Sequence, residues 1–351
     1  MSSLRVIHIS DLHFTDSART FDWGPDGPTI DNQDSGKKSA AIVQFLLKNA
    51  TRLGTDIVIV TGDLTDSGDD GDYKIAQDFV QSLRDQHFMV LAIPGNHDYC
   101  IEGNLIFADI LSSISQVPTD LPGFDDIVRG ILSSAGLPRE SVAAICALLD
   151  RHPGAADNPT RRQRFKNYIT GEVEYPKIVD FPRGRVILLD SMEGELDEND
   201  GDLLAQGKLG TRQWSRLTTA LAEYQPQRQA GKTLIVALHH SPFHTIANDS
   251  NKGLRDAGEF LAMLSGQVDC VLFGHASPDG MSQQGGQDGS RGFNTEQVTY
   301  GIPFFNCENL EPVAPAYPVS VLDLGAWVRA VFQADTADEP ELSRGSLVGG
   351  N

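Results

Sequence analysis

The sequence predicts an α/β fold built on a largely parallel sheet, and two stretches carry that expectation. Asp56-Ile57-Val58-Ile59-Val60 is a short, β-branched apolar run followed at once by Thr61-Gly62-Asp63-Leu64-Thr65-Asp66-Ser67-Gly68. Phe88-Met89-Val90-Leu91-Ala92-Ile93 runs in the same way into Pro94-Gly95-Asn96-His97-Asp98. Buried strands that end in turns of glycine and metal-competent or acid–base side chains are how an open α/β sheet builds a site beyond the carboxyl ends of its strands. Helix-patterned segments separate the apolar runs. The order β-α-β-α-β up to Ile93 calls for right-handed crossovers between parallel strands.

Taken in order, Leu4 to Ser10 reads as the first strand, with Val6, Ile7 and Ile9 as its apolar content. It delivers Asp11-Leu12-His13. On extended backbone, residues two apart point to the same side, so the Asp11 carboxylate and the His13 imidazole converge on one point. Taken alone, the pair also suits a strand-end salt link. Asp16 to Ser35, rich in Asp, Gly and Pro, reads as a loop near the mouth of any site at Asp11. Lys37 to Leu53 is patterned as a helix, with Ile42, Phe45, Leu46 and Ala50 near helical spacing. A second helix fills Asp72 to Gln86, with Ile75, Phe79, Val80 and Leu83 on its buried side.

From Tyr99 to about Arg183 the β-α rhythm stops. Leu105 to Ile110, Ile127 to Ser134, Ser141 to Leu149 and Arg161 to Tyr168 read as short helices broken by Pro and Gly. This insertion either caps the site or forms an ordinary packing layer. Its basic run, Arg161-Arg162-Gln163-Arg164, either meets a phosphate or lies on an exposed helix face. Strands return as a hairpin, Lys177 to Asp180 and Arg185 to Leu189, around Pro182-Arg183-Gly184. Asp190 to Asp202 is crowded with Asp and Glu but lacks the regular spacing of a calcium loop, so a solvated loop is expected.

Thr211 to Tyr224 is a helix with Trp214, Leu217 and Leu221 inward; Thr233 to Leu238 is a core strand ending in His239-His240-Ser241-Pro242. A helix over Leu254 to Leu264 leads to the strand Val268 to Phe273 and its outlet Gly274-His275-Ala276-Ser277. Gly280 to Gly292 reads as a mobile loop. Four later segments, Gln297 to Tyr300, Pro303 to Cys307, Val319 to Leu324 and Trp327 to Phe332, have antiparallel character. Beyond Gln333 the composition is that of a frayed tail.

The chain has 351 residues, 40% hydrophobic and 22% charged, enough to bury a substantial core and unlike a disordered chain. Against 28 Lys and Arg stand 48 Asp and Glu, a formal charge of -20. Such a surface repels nucleic acid and anionic membrane unless bound metal ions or a local basic patch reverse the field. Cysteines at 100, 146, 270 and 307 form no CxxC pair, and Cys146 and Cys270 sit in apolar surroundings that suit reduced, buried thiols. The N-terminus carries no apolar signal core. No stretch reaches the roughly 18 apolar residues of a membrane span. A soluble cytoplasmic protein of undetermined oligomeric state is the expectation.

Asp11, His13, Asp63, Asn96, His239 and His275 thus follow five separate apolar strands. Mixed carboxylate and imidazole donors suit manganese, iron or zinc, and the absence of clustered thiolates argues against a structural zinc site. Asp63 is the natural bridge, because one carboxylate can join two cations about 3.5 to 4 Å apart. Gly62-Asp63-Leu64-Thr65 is not a P-loop, since the Gly-rich stretch and its Lys are missing.

Asp11-x-His13, Gly62-Asp63-x-x-Asp66, Gly95-Asn96-His97-Asp98, His239 and Gly274-His275 together resemble the ordered signature of the calcineurin-like metallophosphoesterase superfamily. The resemblance implies a four-layer α/β/β/α sandwich with a two-metal centre between the sheets. The chain reads as one domain over 1–335, with a helical insertion at about 99–183 and a flexible tail at 336–351. By similarity, Asp11, His13 and Asp63 would hold one metal and Asp63, Asn96, His239 and His275 the other. His97 would be the general acid or phosphate contact, oriented by Asp98. The adjacent His239 and His240 could exchange roles, and His239 is favoured because it stands where the strand ends.

One position departs from the pattern. Where the family carries Gly-His-x-His, this chain has Ser277 in place of the second histidine. A hydroxyl is a poor substitute for imidazole, so the first metal is expected to bind more weakly or to lean on water, substrate or a nearby acid, with Asp279 and Glu308 as candidates by proximity in sequence. The implied chemistry is phosphoester hydrolysis by in-line attack of a metal-bound hydroxide, with His97 assisting the leaving oxygen. A phosphodiesterase acting on a small soluble substrate such as a cyclic nucleotide is the first expectation. A phosphomonoesterase and a weakly active or inactive metal-binding regulatory protein are the alternatives.

Overall fold

The computed structural model describes residues 4–16, 20–24, 27–31, 35–66, 68–99, 158–171, 174–198, 206–243, 253–275, 297–299, 302–306, 316–323, 328–335 and 342–345. The chain opens with β1 (Arg5–Ile9), the hairpin strands β2 (Thr20–Gly24) and β3 (Gly27–Asp31), and helix α1 (Ser35–Leu53). Next come β4 (Ile57–Thr61), α2 (Asp70–Asp85) and β5 (Met89–Ile93), closed by a single 3-10 turn at His97–Tyr99. Helix α3 (Asn158–Phe165) passes into a π-helical turn at Lys166–Thr170 and leads to β6 (Lys177–Phe181), β7 (Gly184–Leu188) and α4 (Glu193–Glu198). The second half contributes α5 (Thr211–Gln229), β8 (Thr233–Ala237), α6 (Ala257–Leu264) and β9 (Cys270–Phe273). The last strands are β10 (Gln297–Thr299), β11 (Ile302–Asn306), β12 (Ala316–Asp323), β13 (Val328–Asp335) and β14 (Leu342–Gly345).

These strands form two six-stranded sheets, ordered β14-β13-β12-β1-β4-β5 and β10-β11-β9-β8-β7-β6. Period-2 side-chain alternation sorts each strand between two cores. Val6, Ile57, Ile59, Leu91 and Ile93 of the first sheet meet Val186, Leu188, Ile235, Ala237, Cys270 and Leu272 of the second in one cluster between the sheets. The alternate residues Ile7, Ile9, Val58, Val60, Val90 and Ala92 face outward onto Ile42, Phe45 and Leu46 of α1 and Phe79, Val80 and Leu83 of α2. Ile187, Leu234, Val236, Val271 and Phe273 do the same against Leu217 and Leu221 of α5 and Phe260 and Leu264 of α6. The result is a four-layer α/β/β/α sandwich. Strands covered on both faces need continuous apolar sequence, and full burial of each such side chain stabilises by about 1.5–3 kcal/mol.

β1, β4 and β5 run parallel, as do β7, β8 and β9, so their carboxyl ends emerge along one edge of the sandwich. Helix α2 starts two residues earlier than the apolar pattern indicates because the Asp69 carboxylate caps it, accepting from Asp72 N at 2.8 Å. Helix α5 continues through Pro226 to Gln229, beyond the expected end at Tyr224. A proline in the last turn forfeits little, and Arg228 fixes that turn by donating to Asp269 Oδ1 and to the Val268 carbonyl.

Several expectations are corrected. The Asp16–Ser35 segment is not all loop. Its strand formers Phe21, Trp23, Thr29 and Ile30 pair in the β2–β3 hairpin. Over 190–198 the acidic stretch after β7 is not a solvated loop either, since Glu193–Glu198 form α4 and Asp190, Ser191 and Glu193 are buried; 199–202 lie outside the described residues. β11 pairs parallel to β9 and antiparallel only to β10, whereas β12, β13 and β14 are antiparallel neighbours. Leu342–Gly345, within the expected tail, is the sheet's edge strand.

Of the insertion's expected helices, the first three lie outside the described residues. The last packs Phe165, Ile169 and Tyr168 against α2, with Tyr168 stacked on Tyr73 at 5.2 Å. Its basic run is engaged within the fold: Arg162 donates to the Glu193 carbonyl at 3.0 Å and Arg164 to the Gly68 carbonyl at 3.3 Å. Cys270 is a buried free thiol as expected. No helix among the described residues is long and apolar enough to cross a membrane.

Candidate metal centre

The strand ends meet through backbone pairing. Asp11 N donates to the Gly62 carbonyl at 3.0 Å, His13 N to that of Asp63 at 2.9 Å, and Phe14 N to that of Leu64 at 2.8 Å. The turn after β1 therefore lies alongside the turn after β4. Gly274 N donates to the His239 carbonyl at 3.0 Å, joining the outlets of β9 and β8. The two sheets are joined by the His239 ring, whose Nδ1 lies 2.7 Å from the Thr61 carbonyl.

Asp11, His13, Asp63 and His275 adopt left-handed backbone, with φ of 54°, 44°, 49° and 61°. The expected extended backbone at Asp11–His13 is thus replaced by a sharper turn. Asp and His tolerate this region better than most residues, yet it still costs on the order of 1–3 kcal/mol each and is held only by surrounding bonds. Glycine is required beside these residues for space. A Cβ on Gly95 would overlap Asp63 Oδ1, and one on Gly274 would overlap Ser10 Oγ. At Gly62 a side chain would strike the His239 ring and would also have to accept a φ of +96°.

The donors converge on Asp63 Oδ2: His239 Nε2 at 3.1 Å, His275 Nδ1 at 3.8 Å and His13 Nε2 at 3.9 Å. Two groups with metal-ligand proximity share that carboxylate, Asp11-Asp63-His239-His275 and His13-Asp63-His97. In these groups Asp11 lies with the β8 and β9 histidines, and His97 lies with His13. His13 and His97 rings stand edge to face at 4.5 Å.

These residues fit a cation. His13 Nδ1, Asn96 Oδ1 and His239 Nε2 are buried with no hydrogen-bond partner among the described residues; the short approach of His239 Nε2 to Asp63 is not aligned as a hydrogen bond. The electrostatics agree. Burial opposes ionisation of Asp63, but His239 and His97 outweigh it and hold the carboxyl well below its usual range. Burial likewise disfavours a charged His239, yet Asp63 and Asp11 push it up to about 9, so the pocket stabilises positive charge beside Asp63. Burial, reinforced by His97, keeps His13 in the neutral form that can ligate. Burial also pushes Asp11 upward.

The Asp98 carboxylate is bonded to both turns: it accepts from Gly95 N at 2.9 Å, Thr65 N at 2.9 Å, Thr65 Oγ1 at 2.9 Å and Leu64 N at 3.3 Å. It staples the β4 turn to the β5 turn, and burial raises it to about 6. His97 Nδ1 lies 2.6 Å from the Asp66 carbonyl. The Asp66 carboxylate lies 3.7 Å from His13 Nδ1. Of the adjacent histidines, His239 is the one at Asp63, while His240 Nδ1 is 2.7 Å from Ser191 Oγ. Ser277, Asp279, Glu308 and the 280–292 loop lie outside the described residues.

Four supports escaped the sequence reading. The Thr61 carbonyl and Ser10 have no distinctive side-chain pattern. Ser191 follows β7, a sixth strand end, which was the available signal. Lys38 is buried on α1 with Nζ donating to the Leu12 carbonyl. Desolvation lowers it to about 8 despite Asp66 and Asp11.

A helix-flanked pair of sheets with carboxylate and imidazole donors gathered at its strand ends defines a metallohydrolase-type α/β protein. The chain belongs to the calcineurin-like phosphoesterase family, whose model matches residues 4–277. The activity of that family is metal-dependent phosphoester hydrolysis, and the His and Asp clusters present here are capable of coordinating metal ions. No functionally curated protein matches the chain. Among solved structures, a Staphylococcus aureus protein named as a 5′-nucleotidase, crystallised with α-ketoglutarate, is 12% identical with a TM-score of 0.35. The alignment covers 98% of this chain and 53% of that one, so the chain spans about half the length of that protein.

Proposed function

We propose that the chain hydrolyses phosphodiesters of small soluble compounds, cyclic nucleotides among them, at a dinuclear metal centre. The observation that carries this reading is the sharing of the Asp63 carboxylate by two groups of candidate ligands. Asp11, Asp63, His239, His275 and Asn96 would hold one ion, and His13, Asp63 and His97 face the other. Bound there, a pair of cations supplies Lewis-acid polarisation of a phosphoryl oxygen and a water acidified to near neutral pH. The formal charge of -20 supports a diester over a monoester, because a diester phosphate brings one negative charge where a monoester brings nearly two.

The protein's own residues do the rest. The Asp66 carbonyl takes the Nδ1 proton of His97, leaving Nε2 to carry the proton that the leaving oxygen needs. Asp98 keeps the turns that carry Asp63 and His97 in register. The Thr61 carbonyl accepts from His239 Nδ1, so Nε2 is the nitrogen that would give up its proton and donate to an ion beside Asp63.

Metal-stripped protein titrated with Mn²⁺ should turn over bis-p-nitrophenyl phosphate faster than p-nitrophenyl phosphate, with metal counted per chain alongside. Asp63→Asn should lose both metal and activity, and His97→Ala should lose activity. A faster monoester rate would reassign the substrate class. Two bound metals with no turnover on either substrate would overturn the hydrolytic reading in favour of a binding role.

A further inference from the structure

The outlet of β8 carries two histidines, and the hydrolytic reading uses only His239. His240 is fully buried directly behind it. One ring nitrogen of each of His239, His240 and His275 lies within 4.8 Å of the others. The His240 ring centroid stands 5.0 Å from that of His239 and 4.6 Å from that of His275.

Its environment is built to hold an imidazole in one orientation. Ser191 Oγ lies 2.7 Å from His240 Nδ1 and accepts from the His240 N–H at 3.3 Å. With Nδ1–H donating to that oxygen, Nε2 keeps the lone pair. This repeats the arrangement at His239, where the Thr61 carbonyl occupies Nδ1. An oriented second nitrogen is the usual companion of a ligating imidazole. Gly207 packs close against the ring, since a Cβ there would stand 2.6 Å from His240 Cγ. The segment carrying it is pinned by Gly207 N donating to the Gly253 carbonyl at 3.0 Å and Arg255 N donating to that of Gly207 at 2.7 Å.

We propose that His240 is a metal donor, giving the β8–β9 side of the centre a third imidazole beside His239 and His275. The proposal rests on the metal-dependent reading above. It makes the centre asymmetric, with a nitrogen-rich site beside His275 and a more exposed one between His13 and His97. The imidazole that the Ser277 position does not supply is offset, in number, from the β8 outlet. Nitrogen-rich donor sets favour zinc, cobalt or ferrous iron over manganese and magnesium, so the β8–β9 site should fill first with zinc when zinc and manganese compete.

The test is metal binding by the full chain. Metal-stripped wild type, His240→Gln and Ser191→Ala are titrated with Zn²⁺ and Co²⁺, reading stoichiometry, dissociation constant and the cobalt absorption spectrum, with circular dichroism of each stripped protein as the fold control. The expected result is that His240→Gln weakens the tighter ion by about tenfold or more and alters the cobalt spectrum. Ser191→Ala should produce a smaller loss in the same site. Wild-type stoichiometry, affinity and spectrum in a folded His240→Gln overturn the proposal and leave the hydrolytic reading intact. Wild type that binds no metal overturns both. Should His240→Gln fail to fold, Ser191→Ala decides, and unchanged affinity and spectrum there overturn the proposal.

Discussion

Asp98 Oδ1 accepts both the N–H and the hydroxyl of Thr65, each at 2.9 Å, across 33 residues of sequence. The other carboxylate oxygen accepts from Gly95 N at 2.9 Å and Leu64 N at 3.3 Å. One buried side chain therefore satisfies donors from both turns that carry candidate ligands. Asp98→Ala leaves three backbone N–H groups without that acceptor, and should cost about 3 kcal/mol in urea unfolding of metal-free protein. Asp98→Asn keeps one acceptor oxygen and should cost less than half of that. If Asp98 acted only on the His97 ring, Asp98→Ala would lower activity with stability unchanged.

Space at Gly95 is a separate requirement. A Cβ there overlaps Asp63 Oδ1, the oxygen that also accepts from His97 N at 3.0 Å. Gly95→Ala should displace the shared carboxylate and lower metal content and turnover together, by about a hundredfold in rate for a misplacement near 1 Å. Gly171→Ala is the control. Its φ is +74° but nothing lies within 4 Å of the added Cβ. It should cost about 1 kcal/mol of backbone strain and leave metal content at the wild-type value. Equal metal loss in both variants would show a general loss of fold and remove the argument from Asp63.

Buried Asp190 gives a pH dependence of known sign. Desolvation, only partly offset by Arg162, raises its carboxyl from 3.8 to about 6. A group raised on folding binds more protons in the folded state, so its contribution is full below 3.8 and is lost as pH rises through 6. Between pH 4 and 7 this removes on the order of 3 kcal/mol of stability. Asp190→Asn, whose Oδ1 can still accept from Met192 N while its Nδ2 donates to a reoriented Tyr99 hydroxyl, should flatten that slope. Parallel stability–pH curves for wild type and variant would refute the assignment.

The sequence exposes what is local. β-branched runs mark β1, β4, β5, β8 and β9, and Asp11, His13, Asp63, Asn96, His239 and His275 follow them directly. It hides what depends on chain path. Asp190 sits in an acidic stretch that reads as solvated, yet Tyr99 and Gln213, 91 and 23 residues away, bury and bond it. The Thr61 carbonyl orients His239 across 178 residues with no side-chain signature at all. Left-handed backbone at Asp11 and His13 cannot be read from residue type when Asp and His also suit extended strands. The direction of β11 is set by the return of the chain to β9, which no local pattern encodes.

Ser277 tests the asymmetry of the centre from the other side. The family pattern places a histidine there, and with His97 assigned to the leaving oxygen the His13 side offers one imidazole and the shared carboxylate. Adding a neutral nitrogen donor at this outlet should strengthen the weaker ion. In Ser277→His the Mn²⁺ concentration for half-maximal activity should fall, on the order of tenfold for one added ligand-grade contact. The second metal equivalent should survive dialysis that strips it from wild type. Stability should follow, because an ion held at 100 times its dissociation constant adds about 2.7 kcal/mol to the folded state. At equal Mn²⁺, Ser277→His should therefore unfold at the higher temperature, with no difference between the metal-free proteins. An unchanged activation curve would mean that the serine does not limit metal binding, and that the weaker ion already has its full set of donors.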